Sequence, residues 1–173
     1  MIEKDFNTLK VEELAQLISP NSKAYRELKK RGILRTKNVV GELGEYYAIE
    51  FYNSKDDLPE LTQAEAGLKN VNAFSSSGEK YSIKSVTSRK GTTGSFWDPL
   101  AIQNNERQFD FLIISILDDN YLLDLLIELS WDEFMQHKRF NKRMNSYNMS
   151  LTSKLLESVQ IQYSRDLIDV NDE

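Results

Sequence analysis

The chain has 173 residues, no cysteine, 40% hydrophobic and 28% charged residues, and a formal net charge of −5. Those totals fit one soluble globular domain with a real core, and they exclude disulfides, thiolate chemistry and zinc–cysteine sites. No run of about 18 apolar residues occurs, and MIEKDFNTLK lacks the apolar stretch of a signal peptide, so no membrane span and a cytoplasmic location are expected.

Residues 9–18 (LKVEELAQLI) have helical spacing, closed by Ser19-Pro20. Asn21 or Ser22 can cap a second helix over about 23–31, which Gly32 would end. Thr36 or Asn38 can cap a third over 39–53, with Val40, Leu43, Tyr47 and Phe51 at helical spacing. Residues 54–67 read as a loop. Two short strands follow, over about 69–75 and 80–87, and the turn SSSGEK between them suits a hairpin. FDFLIISIL (109–117) reads as a buried strand. After the turn Asp118-Asp119-Asn120, residues 121–128 read as its hairpin partner, with a helix as the open alternative. Ser130-Trp131-Asp132-Glu133 is a capping box, and Leu129 and Phe134 occupy the staple positions of a helix over about 131–138. Residues 148–158 suggest another short helix, and the acidic tail DLIDVNDE is expected to fray. Helices, a meander of strands, then helices imply an α/β or α+β domain with a central sheet.

Charge is unevenly spread. Segments 23–37, 79–90 and 138–143 hold 15 of the 22 basic residues. Such segregation suits an anion-binding surface on an acidic body; solvated helix faces and loops are the plainer alternative.

The strand Tyr81-Ser82-Ile83-Lys84-Ser85-Val86 places Ser82 and Lys84 on one face. Lysine is depleted in strands, and at a sheet edge it serves to block pairing. Here it has company. Asn72 lies on the preceding strand, Glu42 and Glu45 lie on a helix beside Gly41 and Gly44, and hydroxyls, cations and glycines crowd residues 85–95. These groups donate to phosphate oxygens.

The run RTKNVVGELGEYYAIEFY … KNVNAFSSSGEKYSIKS resembles small restriction-endonuclease-like proteins of the PD-(D/E)xK nuclease superfamily. In them a helix with Gly-Glu precedes a Gly-x-x-Asp-Ala … Gly-x-x-Tyr-x-x-Lys hairpin. The resemblance covers about residues 28–95. It implies one restriction-endonuclease-like domain over 1–173, a central mixed sheet flanked by helices, with N-terminal helices 1–53, a catalytic hairpin 68–87, and sheet and C-terminal helices 108–165. It implies a type II restriction endonuclease that hydrolyses DNA phosphodiesters with Mg²⁺, or Mn²⁺ in its place, acting on double-stranded DNA as a homodimer. By position, Asn72 takes the metal aspartate slot, Ser82 the (D/E) slot, Lys84 the motif lysine, and Glu45 the helix glutamate, with Glu42 in reserve. Metal ligands would be Asn72, Glu45 and Glu42. Carboxylates are the hard-oxygen ligands Mg²⁺ prefers, the metal supplies the hydrolytic nucleophile, and a lysine beside it stabilises developing charge.

Two departures stand out. Asn72 carries no charge where the family has aspartate, which weakens cation binding. Ser82 replaces an acid, a change the family tolerates where a glutamate such as Glu45 or Glu42, or more weakly Asp98, supplies the carboxylate. Three explanations of Asn72 stay open: a deliberate Asp→Asn variant, natural loss of cleavage, or an alignment in which Glu65 or Asn70 matters instead. The corresponding rivals are a non-cleaving DNA-binding protein on the same fold and one subunit of a heteromeric nicking nuclease. DNA contacts are expected from Arg35, Lys37, Asn38, Thr87, Ser88, Arg89, Lys90, Thr92, Thr93, Lys138, Arg139, Lys142 and Arg143. Trp97 reads as a loop anchor or a base-stacking residue, Trp131 as packing, and His137 as a surface residue.

Overall fold

The computed structural model describes residues 6–168. Caps decide where the N-terminal helices begin. After a 3₁₀ turn (Phe6–Thr8), α1 spans Val11–Ile18. Ser22 Oγ accepts from the Tyr25 N–H at 3.2 Å and opens α2 (Lys23–Lys30); Gly32, at φ +75°, lets the chain turn away. Asn38 Oδ1 accepts from the Gly41 N–H at 3.1 Å and opens α3 (Val39–Asn53).

The rest of the chain builds β1 (Leu61–Gln63), β2 (Ala73–Ser75), β3 (Lys80–Val86), α4 (Pro99–Gln103), β4 (Phe111–Leu117), β5 (Leu123–Ser130), α5 (Trp131–His137), β6 (Arg139–Asn141), β7 (Ser146–Asn148), α6 (Ser153–Ser158), β8 (Gln160–Ser164) and α7 (Arg165–Ile168). Six strands form one mixed sheet in the order β1-β2-β3-β4-β5-β8, and β6 and β7 form a separate hairpin. Only β3 and β4 pair in parallel, from Tyr81 opposite Phe111 to Val86 opposite Ile116; the other neighbours are antiparallel. The architecture is thus α+β, a mixed sheet flanked by helices.

Both faces of the central strands are covered, which is why β4 reads as an unbroken apolar run rather than an alternation. Tyr81, Ile83, Ile113 and Leu126 pack under α3 with Ala48 and Tyr52. Val86, Leu112, Ile114, Ile116 and Ile127 face the other way, into a core with Phe96, Ile102, Phe109, Phe134 and Leu155. Gly44 sets the depth of α3. A Cβ there would lie 2.0 Å from Ser85 Oγ and 3.1 Å from the Ser115 Cβ, and Ser115 Oγ donates to the Gly44 carbonyl at 2.8 Å. Glycine is required because the helix backbone touches the sheet.

Several expectations need correction. The loop expected over 54–67 contains β1. Only Leu61 of its three residues is buried, so no alternation marks it; the Asn53 amide pins the Leu61 N–H and carbonyl at 2.7 and 3.0 Å. The strand expected over 69–75 shortens to 73–75, because Asn70 takes the left-handed φ of +57°. The hairpin partner expected over 121–128 is a strand rather than a helix and lies at Leu123–Ser130 (β5), antiparallel to β4, with Tyr121 at a left-handed φ of +62°. The helix expected over 148–158 starts only at Ser153, since residues 92–96 bond to 147–150 and hold that stretch extended. The capping box at Ser130 and Glu133 forms, and Leu129 and Phe134 are fully buried. Of the tail expected to fray, 166–168 belong to α7 and 169–173 lie outside the described residues. Among the described residues, no helix is long and apolar enough to cross a membrane.

Candidate active site

A cavity of about 460 Å³ opens where the N-terminal half of α3 meets the segment between β1 and β2, β3, and the loop after β3. Glu42, Glu45, Asn72 and Lys84 all line it, so residues from distant parts of the sequence converge on one opening. The cap at Asn38 aims the first turns of α3 at the sheet. Spacing of three residues then puts Glu42 and Glu45 on one helix face, turned toward the strands. Both are 6% exposed.

Arg35, just before α3, serves both carboxylates. Its Nη2 donates to Glu45 Oε1 at 2.7 Å, its Nε to Glu42 Oε2 at 3.4 Å, and its Nη1 to the Ala64 carbonyl at 3.1 Å. Gln63 Nε2 donates to the same Glu45 oxygen at 2.7 Å. The second Glu45 oxygen accepts from Asn72 Nδ2 at 3.0 Å, and Asn72 Oδ1 accepts from the Ile83 N–H at 2.9 Å. The amide's orientation follows from its partners. A backbone N–H can only donate, so it faces the amide oxygen, and the NH₂ is left to meet the carboxylate. The Asn72 backbone is tied on both sides, its N–H to the Tyr81 carbonyl and its own carbonyl to the Ala64 N–H.

Lys84 stands apart from this network. Its Nζ donates to the Ser95 carbonyl at 2.9 Å and lies 4.7 Å from the centre of the Phe96 ring. Burial in these surroundings lowers its pKa to about 8. An ammonium poised between charged and neutral near physiological pH suits a group that meets a phosphate or moves a proton.

The expected role of Ser82 is not supported by its position. It is fully buried and does not line the cavity, and its Oγ has no hydrogen-bond partner. Strand alternation puts it on the same face as Lys84, but Lys84 lines the cavity and Ser82, two residues earlier, does not. Asp98 caps α4, accepting from the Ala101 N–H at 3.4 Å. Glu65 lines the cavity.

A divalent cation does not fit the site as it stands. The oxygens that would bind it already accept from a guanidinium, two amides and a backbone N–H. Among the described residues no group of three or more acidic, histidine or cysteine side chains is placed to hold a metal. Gln63 and the carbonyls of Ala64 and Ser95 carry no sequence signal for their part here; β1 itself was invisible.

The expected DNA-contacting residues divide. Asn38 lines the cavity while capping α3, and Lys37 is exposed beside it. Arg89 is engaged by Asp124 at 2.7 Å and Asp166 at 2.8 Å, and Thr93 is buried, accepting from the Met149 N–H at 3.0 Å. Thr87, Ser88, Lys90 and Thr92 are exposed. Lys138 reaches the Met135 carbonyl and lies over Tyr147, while Arg139, Lys142 and Arg143 are exposed on the β6–β7 hairpin. The loop after β3 and the β6–β7 hairpin, far apart in sequence, are joined through their backbones. The Thr93 N–H donates to the Met149 carbonyl at 2.8 Å and the Phe96 N–H to the Tyr147 carbonyl at 2.7 Å, which stitches the loop after β3 to that hairpin.

No protein-family model matches this chain, and no curated protein matches it.

Proposed function

We propose that this cavity is the phosphodiester site of a restriction-endonuclease-like DNA endonuclease, closed to catalysis in this chain by Asn72. The observation that carries the reading is the convergence of Glu45, Asn72 and Lys84 from helix, hairpin and strand on one open polar cavity. Their order and spacing match the nuclease pattern, and the basic loop and hairpin beside them offer donors to a DNA backbone. On this reading the chain as it stands binds DNA without cutting it. The Asn72 amide donates a hydrogen bond to Glu45 at the place where a second carboxylate would call for a cation. Restoring aspartate puts two carboxylate oxygens about 3 Å apart, an arrangement that requires a cation or a shared proton between them. Mg²⁺, with Mn²⁺ as its substitute, is the cation of that aspartate form. A homodimer with its two-fold axis on a symmetric site accounts for cutting both strands.

The test compares this protein with Asn72→Asp on a panel of plasmid and phage DNA with and without Mg²⁺. Discrete fragments from the aspartate form alone, with DNA binding by both, are the expected outcome. Binding by both without cleavage by either leaves the rival reading, a non-cleaving DNA-binding protein on this scaffold. Nicked circles from the aspartate form point to a subunit that cuts one strand.

A further inference from the structure

Trp97 is the residue that the cavity does not explain. It lines the opening, yet its side chain is 48% exposed, and Leu68 on the same rim is 50% exposed. The expected loop anchor is its neighbour instead. Phe96 is fully buried, packed on Phe109 and Phe134 with ring centres 5.9 and 4.6 Å away. Trp97 is therefore held out of a core that begins one residue earlier.

It is held firmly. The Asn70 side chain is almost completely buried and closes a two-point clamp on the Trp97 main chain, donating to its carbonyl at 2.7 Å and accepting from its N–H at 2.9 Å. Asn70 does this from the left-handed region at φ +57°, and Asp98, on the other side of Trp97, sits there at φ +65°. Two strained non-glycine residues around one exposed tryptophan mark a position that the surrounding structure over-determines. Two residues upstream, the Ser95 carbonyl carries the Lys84 ammonium. The segment that displays the indole is thus bonded to the cavity's lysine. Beyond it, Phe96 pairs with Tyr147 on the basic hairpin that carries Arg139, Lys142 and Arg143.

We propose that Trp97 stacks on a nucleobase beside the phosphodiester that enters the cavity, with Asn70 as the residue that positions it. The proposal rests on the DNA-binding reading of the site. A flat, apolar, pre-oriented ring next to cationic and hydroxyl donors matches a nucleotide, which brings an anionic phosphate and a π face together. Rigid display keeps the ordering cost of binding low.

The experiment uses the chain's own fluorescence. It has two tryptophans. Trp131 is 2% exposed, with Nε1 donating to Asn105 Oδ1 at 2.8 Å, so acrylamide separates the accessible Trp97 signal from a shielded one. Sheared duplex DNA and a single-stranded oligonucleotide are titrated at low salt into the unaltered protein, Trp97→Ala, Trp97→Phe and Asn70→Ala. Expected are quenching and shielding of the Trp97 emission, roughly tenfold or more weaker binding by Trp97→Ala, and recovery of most of it by Trp97→Phe. The salt dependence of Trp97→Ala should match that of the unaltered protein, because no phosphate contact is lost. Asn70→Ala should weaken binding while the Trp97 emission stays accessible in the complex. DNA binding with unchanged Trp97 emission and an unweakened Trp97→Ala overturns the stacking proposal and leaves the DNA reading intact. Absence of DNA binding by the unaltered protein overturns both.

Discussion

Two largely buried carboxylates, Glu45 and Glu128, lie on either side of the same apolar cluster beneath α3, and their surroundings differ in kind. Glu45 opens onto the cavity and faces the Arg35 guanidinium and the amides of Gln63 and Asn72. Glu128, on β5, accepts from the Tyr52 hydroxyl and from Gln162, and burial pushes its pKa up. Tyr52 is fully buried, and its own pKa is raised by burial and then by Glu128. One carboxylate is partnered by a guanidinium and two amides; the other is an acceptor for a tyrosine hydroxyl and an amide at the edge of a core. What separates a candidate site from a packing device is the set of partners, since a lone acidic residue near a core reads the same in either setting.

Removing the first carboxylate gives the largest effect. Glu45→Leu leaves the Arg35 guanidinium and two amides facing an apolar side chain, and should cost about 3 kcal/mol of stability in urea titrations. That is the low end for a broken buried pair, because the Arg35 side chain remains 29% exposed. The double variant Arg35→Met/Glu45→Leu should recover a measurable part of the loss, since the uncompensated charge is gone. Fully additive losses would mean that Arg35 and Glu45 are not a pair in solution.

Asn72→Asp sharpens the comparison, because it replaces a donor facing Glu45 by a second carboxylate. Without metal, like-charge repulsion raises the pKa of the pair above its unfolded value. Stability is then retained below the ordinary carboxylate pKa and lost as pH rises through the raised one. The variant should melt lower than the parent at pH 8, by about 1–2 kcal/mol, and match it near pH 4. Mg²⁺ should restore it at pH 8 by mass action while leaving the parent unaffected. A melting temperature indifferent to both pH and Mg²⁺ would remove the physical basis for reading position 72 as a metal locus.

The smallest effect is expected at Glu128. Its folded pKa is raised, so its contribution is present at low pH and declines as pH rises through the carboxylate range toward that raised value. Glu128→Gln keeps an acceptor for Tyr52 and removes the ionisation. It should raise the melting temperature by a few degrees at pH 8 relative to pH 4.5, measured against the parent at each pH. Equal shifts at both pH values would show that Glu128 is not held against its charge.

How much of this was legible in the sequence can be followed residue by residue. The bounds of α3 follow from an Asn cap and helical spacing, and the strand β3 from its alternation; both are local signals. So are the capping box at Ser130 and the close approach that Gly44 permits. Ser82 misled because strand alternation gives a face and not a depth: it shares a face with Lys84, but the cavity stops short of it. Trp97 stayed open between loop anchor and base-stacking residue because exposure is not a property of a residue type. Arg89 looked like a free cation until Asp124 and Asp166 were brought to it from other elements.

The sequence by itself determined the longer helices, the caps of α2, α3 and α5, the strands β3 and β4, and the presence of a helix glutamate, an asparagine and a strand lysine along the chain, because hydrogen-bond closure and hydrophobic periodicity act over a few residues. Only the tertiary structure decided that Glu45 is answered by Arg35, Gln63 and Asn72, and that Lys84 is desolvated to a pKa of about 8. It alone set Trp97 at the rim while Phe96 went inside. Those outcomes depend on how closely α3 seats on the sheet and how the loop after β3 joins a hairpin some 50 residues away. Long-range packing sets such distances, and electrostatics and burial follow from them.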